Sequence, residues 1–158
     1  MAISKVGRVE TFVSTYQWDG WTPSDVSGST TNAGSSGTTV NSTYVTAVNS
    51  SGTCTFTFAK AGTYLVSCMM GCNHANAYTY DRVIMNLGGT TTRYVDFNPT
   101  NAGANTSNLD FQITSTFMLI ASSEGQTLTV LPTLELNGSG ATSQHTGRAA
   151  VAIVYCGG

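Results

Sequence analysis

Along most of the chain apolar and polar residues alternate one for one, the period at which a strand turns one side chain inward and the next outward. In Cys54-Thr55-Phe56-Thr57-Phe58 the cysteine and both phenylalanines share one face and the threonines take the other. Ala59-Lys60-Ala61-Gly62 turns the chain, after which Tyr64, Val66, Cys68 and Met70 alternate with Leu65, Ser67 and Met69. Leu128, Val130, Leu134 and Leu136 alternate with Thr127, Thr129, Thr133 and Glu135 further on. Pro132 interrupts that run; it cannot donate to a ladder, so it predicts a bulge or an edge position. No stretch keeps the 3-4 spacing of a helix for long. Turn-forming clusters at 87–90, 122–126 and 137–140 separate the runs. Eight or more short strands punctuated in this way predict an all-β, antiparallel β-sandwich or jelly roll.

Two runs are apolar at every position: Phe117-Met118-Leu119-Ile120, and Ala149-Ala150-Val151-Ala152-Ile153-Val154-Tyr155. A strand covered on both sides reads like this. One side of a sandwich strand is the core, so the other is expected to meet a second surface, that of a neighbouring subunit.

The first quarter of the chain is different. Residues 9–18 can form a strand, and Trp21 and Pro23 follow. The polar stretch 27–39 (SGSTTNAGSSGTT) has the composition of a flexible Gly/Ser/Thr linker. Residues 1–25 are therefore expected to be an N-terminal arm or a first strand, 26–42 a linker, and 43–158 the jelly-roll domain. Both tryptophans fall in the first segment. Large aromatics are typical interface anchors, which makes Phe12, Tyr16, Trp18 and Trp21 the candidate partner-binding residues of an arm. An ordinary strand of the same body is the equal alternative.

Charge narrows the function. Only 9% of the 158 residues are charged, and 26 Thr, 17 Ser, 17 Gly and 11 Asn supply the polarity instead. The net charge is −2, and Lys5, Arg8, Lys60, Arg82, Arg93 and Arg148 are scattered. Nucleic-acid binding needs clustered cations to displace counterions, so no nucleic-acid partner is expected. Nothing approaches the roughly 18 apolar residues of a membrane span. The opening MAISKVGRVETFVS has no apolar h-region, so synthesis in a cytosol is expected.

The one cluster that suggests chemistry is Ser67-Cys68-Met69-Met70-Gly71-Cys72-Asn73-His74. Cys68, Cys72 and His74, with Cys156 as an optional fourth ligand, could be drawn as a zinc site, but the spacing belongs to no common zinc module and an apolar strand is a poor host. Cys54 and Cys68 share the inward parity of their strands, where a free thiol behaves as a small hydrophobe. Buried thiols, with no metal and no cofactor, are the expected reading. His74 with Asp81 lacks a G-x-S-x-G nucleophile elbow for a triad, and Glu124 and Glu135 read as solvated carboxylates rather than a glycosidase pair. No catalytic residue and no enzyme are expected. The loop 96–108 (DFNPTNAGANTSN), long and without a strand pattern, is the natural candidate for ligand recognition.

The order of these elements resembles the C1q/TNF-like jelly-roll superfamily over about residues 43–156. The segment 49–67 (NSSGTCTFTFAKAGTYLVS) matches its G-x-F…G-x-Y stretch, with Gly62 and Tyr64 on the family's Gly and Tyr. Residues 83–89 (VIMNLGG) resemble its next strand and turn. Residues 117–130 resemble the apolar strand that meets an acidic residue and Gly, and 148–155 its last, central strand. The resemblance implies a compact homotrimer packed through its central strands, with Phe117, Leu119, Val151, Ile153 and Tyr155 as candidate trimer-interface residues. Related trimers serve as capsid decoration (cement) proteins or fibre and spike heads of phage. The resemblance thus implies a non-enzymatic structural protein of a phage virion, partnered with the major capsid protein or another virion protein. A receptor- or glycan-binding head is the alternative.

Overall fold

The computed structural model describes residues 12–22, 29–74, 80–89, 93–97, 109–137 and 146–158. They form strands β1 (Val13–Trp21), β2 (Ser29–Asn32), β3 (Gly37–Val40), β4 (Val45–Ser50), β5 (Thr53–Phe58), β6 (Gly62–His74), β7 (Tyr80–Gly89), β8 (Arg93–Phe97), β9 (Leu109–Ala121), β10 (Thr127–Asn137) and β11 (Thr146–Gly157). One sheet has the order β3-β1-β11-β6-β9, the other β4-β5-β10-β7-β8, with β2 also on β10. The expected antiparallel jelly-roll sandwich is the observed fold.

Period-2 alternation places the core. Cys54, Phe56 and Phe58 of β5, Tyr64, Val66, Cys68 and Met70 of β6, and Leu128, Val130 and Leu134 of β10 are all buried between the sheets. The closing strand β11 is central, as its apolar composition implies, with β1 on one flank and β6 on the other.

Pro132 departs from expectation. It is neither a bulge nor an edge residue: it pairs with Met85 of β7, and its carbonyl accepts from Ala33 N–H at 2.8 Å. On that flank the partner of β10 changes from β5, whose pairing stops at Cys54 opposite Val130, to β2, whose pairing starts at Asn32 opposite Thr133. A strand residue's N and C=O point to the same side, so the missing donor falls in the gap between two partners and no ladder bond is lost.

Of the two readings of the first segment, a strand of the body is the one seen at Val13–Trp21. β1 pairs with β11 from Val13 to Trp18 and again at Trp21, and with β3 on its other side. Tyr16 (4%), Trp18 (1%) and Trp21 (8%) are buried, so the core uses these three proposed anchors and they are unavailable to a partner. Trp18 Nε1 donates to the Gly52 carbonyl at 2.8 Å, which satisfies its only polar atom. That turn needs glycine: Gly52 has φ +89°, and a Cβ there would run into the Ala33 carbonyl. Gly147 lies directly under the Trp21 ring, where any side chain would collide.

The linker is corrected. Within 26–42 the chain forms β2 and β3, held by backbone pairing and by contacts such as Asp19 N–H to Ser36 O (3.1 Å) and Thr133 Oγ1 to Asn32 Oδ1 (3.0 Å). β3 is exposed throughout. An edge strand with its side chains in water needs no apolar periodicity, and the sequence shows none.

Candidate functional site

Backbone register decides which residues of the two all-apolar runs face outward. On β11, Val151 and Ile153 are buried against the core, and on β9 so is Leu119, with Phe117 packed half-buried beside them. Tyr155 is held within the subunit: it stacks on Tyr44 at 4.3 Å and tilts against Tyr64 at 5.2 Å, with Lys60 Nζ 5.2 Å from its ring centre. All five residues named for the trimer interface therefore serve the sandwich interior or its aromatic end. The reason is parity, since these runs are apolar on both faces and the core took the odd-numbered positions.

The even-numbered positions make the outer face. Val154 of β11 lies between Val13 of β1 and Leu65 of β6, and Leu65 pairs with Met118 of β9. The next row is Thr15, Ala152, Ser67 and Thr116, in which the Ser67 and Thr116 hydroxyls pair at 3.2 Å. Beyond it come Gln17, Ala150, Met69 and Thr114; at the other end Thr63 pairs with Ile120. Met118 is 49% exposed and Ile120 72%. From the Gln17 row to Ile120 no charged side chain faces outward among the described residues. Asp19 and Arg148 appear only beyond that end. This charge-free face, apolar along the Val13–Met118 row and hydroxyl-lined in the next, is the candidate interaction surface.

Phe12 remains at the rim. It stacks on Tyr44 (5.5 Å), and its carbonyl accepts from Tyr155 N–H (3.1 Å). It is the one proposed anchor still substantially exposed, at 43%.

The cysteines do not converge. Cys72 is registered opposite Gly147, whereas Cys156 lies nine residues further along β11 (156 − 147). At about 3.3 Å per residue that separates them by roughly 30 Å, so the drawn zinc quartet is not assembled. Cys68 is buried, and the side chains of Cys72, His74 and Asp81 lie outside the described residues. Glu124 sits in the turn before β10 and Glu135 eight residues into that strand (135 − 127), a span of about 27 Å and far beyond any glycosidase pair. The recognition loop 96–108 falls almost wholly outside the described residues, which resume at Leu109.

Burial pushes the Cys54 and Cys68 thiols up to about 12, because the interior disfavours a thiolate. Cys156 is exposed. Alkylation of the native protein at pH 8 is thus expected to modify Cys156 and spare Cys54 and Cys68, read by peptide mass spectrometry. The sign for stability follows: a raised folded pKa means that the unfolded chain releases these protons first. Their contribution is intact below the ordinary thiol range near about 8.5 and is lost as pH climbs from there toward 12. Labelling of Cys54 in the folded state would contradict this.

No family model matches the sequence, and no curated protein is similar to it in sequence. Among solved structures, the globular domain of zebrafish complement 1qA protein superposes with a TM-score of 0.51 at 10% identity, covering 92% of this chain and 98% of that one. The chain has the C1q jelly-roll fold. PRD1 vertex protein P5 superposes with a TM-score of 0.46 at 16% identity, again over 92% and 98% of the two chains. At such identities the likeness to the C1q domain is one of architecture.

Proposed function

We propose that this chain is a non-enzymatic structural protein of a virion surface, a homotrimer that decorates and cements a capsid. The observation that carries the assembly is the outer face of the β3-β1-β11-β6-β9 sheet, which exposes Leu65, Met69, Met118 and Ile120 without a charge among them. In a monomer this surface would be left in water. β9 is the edge of the same sheet, 13 residues long, and its one charge, Asp110, lies at its start, so the stretch 111–121 is an uncharged edge that needs cover. A ring in which the edge of one copy meets the face of the next covers both, and closes. The virion role draws on the surface chemistry, a hydroxyl- and amide-rich exterior with 9% charged residues. Light scattering of the purified chain is the test: a mass three times the 16.5 kDa of one copy is expected, and a stable monomer at micromolar concentration defeats the reading. Co-sedimentation with capsids lacking the protein then tests decoration.

The reading as a binding head has one observation in its favour. β1, β6, β8 and β10 all finish, and β7, β9 and β11 all begin, at the end of the sandwich opposite Phe12. The connections 22–28, 75–79, 98–108 and 138–145 join those strand ends, and a glycan array on the intact protein would expose such an activity.

A further inference from the structure

The outer face carries two of the chain's five methionines, and among the four that lie in the described residues they are the ones that solvent reaches. Met69 is 41% and Met118 49% exposed, whereas Met70 and Met85 are 2% and 5% exposed. Met69 and Met70 are neighbours in β6, so strand parity alone sends one outward and the other into the core. Met118 is registered opposite Leu65, in the row that continues to Val154 and Val13; Met69 is registered between Ala150 and Thr114. The two thioethers thus flank the Ser67–Thr116 hydroxyl pair, in the middle of the surface through which the copies are taken to meet.

We propose that Met69 and Met118 are oxidation sites that gate this assembly, an inference that rests on the trimer reading above. The oxidant is hydrogen peroxide. The thioether sulfur attacks one peroxide oxygen, the O–O bond breaks, an S–O bond forms, and the second oxygen leaves as water. Sulfur loses two electrons and peroxide gains them. The product is a polar sulfoxide on a side chain that was apolar. In Met118's row Val13, Val154 and Leu65 offer no side-chain donor, so closing the interface over a sulfoxide there desolvates a strong acceptor in a row with no donor of its own. Once copies have met, the same contact shields both sulfurs. Oxidation therefore acts on copies that have left the assembly, in exchange with it, and blocks their return, and methionine sulfoxide reduction restores them.

The test treats the full-length chain with peroxide in a Cys156→Ser background, which removes the one exposed thiol among the described cysteines. Peptide mass spectrometry should find one added oxygen on Met69 and on Met118 well before Met70 or Met85. The concentration at which half the chains are assembled should rise at least about tenfold, the shift equivalent to ~1.4 kcal/mol. Circular dichroism should be unchanged. The double variant Met69→Leu/Met118→Leu should assemble and ignore peroxide. A chain that is monomeric before treatment defeats the trimer reading and this inference with it. A chain that is trimeric both before and after Met69 and Met118 are oxidised defeats this inference alone, as does a Leu variant that still dissociates in peroxide.

Discussion

Ile153→Asp is expected to leave no folded protein, whereas Met118→Asp is expected to fold and remain a monomer. Ile153 is fully buried in the middle of the central strand β11, registered between Ser14 of β1 and Val66 of β6. A carboxylate there has no cation to pair with among the buried residues. An unpaired charge in such a place costs several kcal/mol, a large share of the roughly 5–15 kcal/mol that holds a domain together. Met118 stands on the outer face with half its surface already in water. A carboxylate at that position stays hydrated in the single copy, and the cost is about 1 kcal/mol of strand preference. It is in the assembly that the charge would be desolvated, once per copy. Thermal melts followed by circular dichroism separate the two effects, and light scattering reads the second. A folded Ile153→Asp chain would mean that β11 does not face the core as described. A Met118→Asp chain that still assembles would move the interface off this sheet.

This pair of substitutions also shows what was legible in the sequence. Where a strand alternates, its inward face could be read directly, and the burial of β5, β6 and β10 follows that reading residue by residue. Where a strand is apolar throughout, composition says only that both faces are covered. Parity then has to come from a neighbour: Thr114 and Thr116 share the side of Met118 and Ile120, and Arg148 shares that of Ala150, Ala152 and Val154. Those polar residues were the available signal for the outer face. β2 and β3 left no such mark, because their stability lies in backbone pairing to β10 and β1 rather than in side chains buried in a periodic pattern. The tryptophans misled for a related reason. A bulky aromatic is equally at home in an interface and a core, and Trp18 was placed by a carbonyl at Gly52, 34 residues later.

Deleting residues 1–25 is expected to abolish folding, whereas deleting 1–11 should leave the fold intact. The longer deletion removes β1, and with it a strand paired on both sides, to β11 and to β3. It strips Tyr16, Trp18 and Trp21 from the core; truncating a single large buried aromatic to Ala costs about 3–5 kcal/mol. Losing three exceeds the stability of most domains of this size. It would also open one edge of β11, the central strand of the sheet, to pairing with other chains. The shorter deletion spares every registered residue of β1 and keeps Phe12 in its stack with Tyr44. Its melting temperature should lie within a few degrees of the parent, where about 1 kcal/mol is worth 2–4 °C for a chain of this length. Solubility and a cooperative melt decide between the two outcomes, and a folded product from the longer deletion would show that β1 is dispensable. The same pair of chains bears on attachment. With Tyr16, Trp18 and Trp21 committed to the core, any capsid contact made by the N-terminus must come from Phe12 or the residues before it. A folded 1–11 deletion that binds capsids as well as the parent would assign attachment to the sandwich itself; one that assembles but no longer binds would assign it to that short segment.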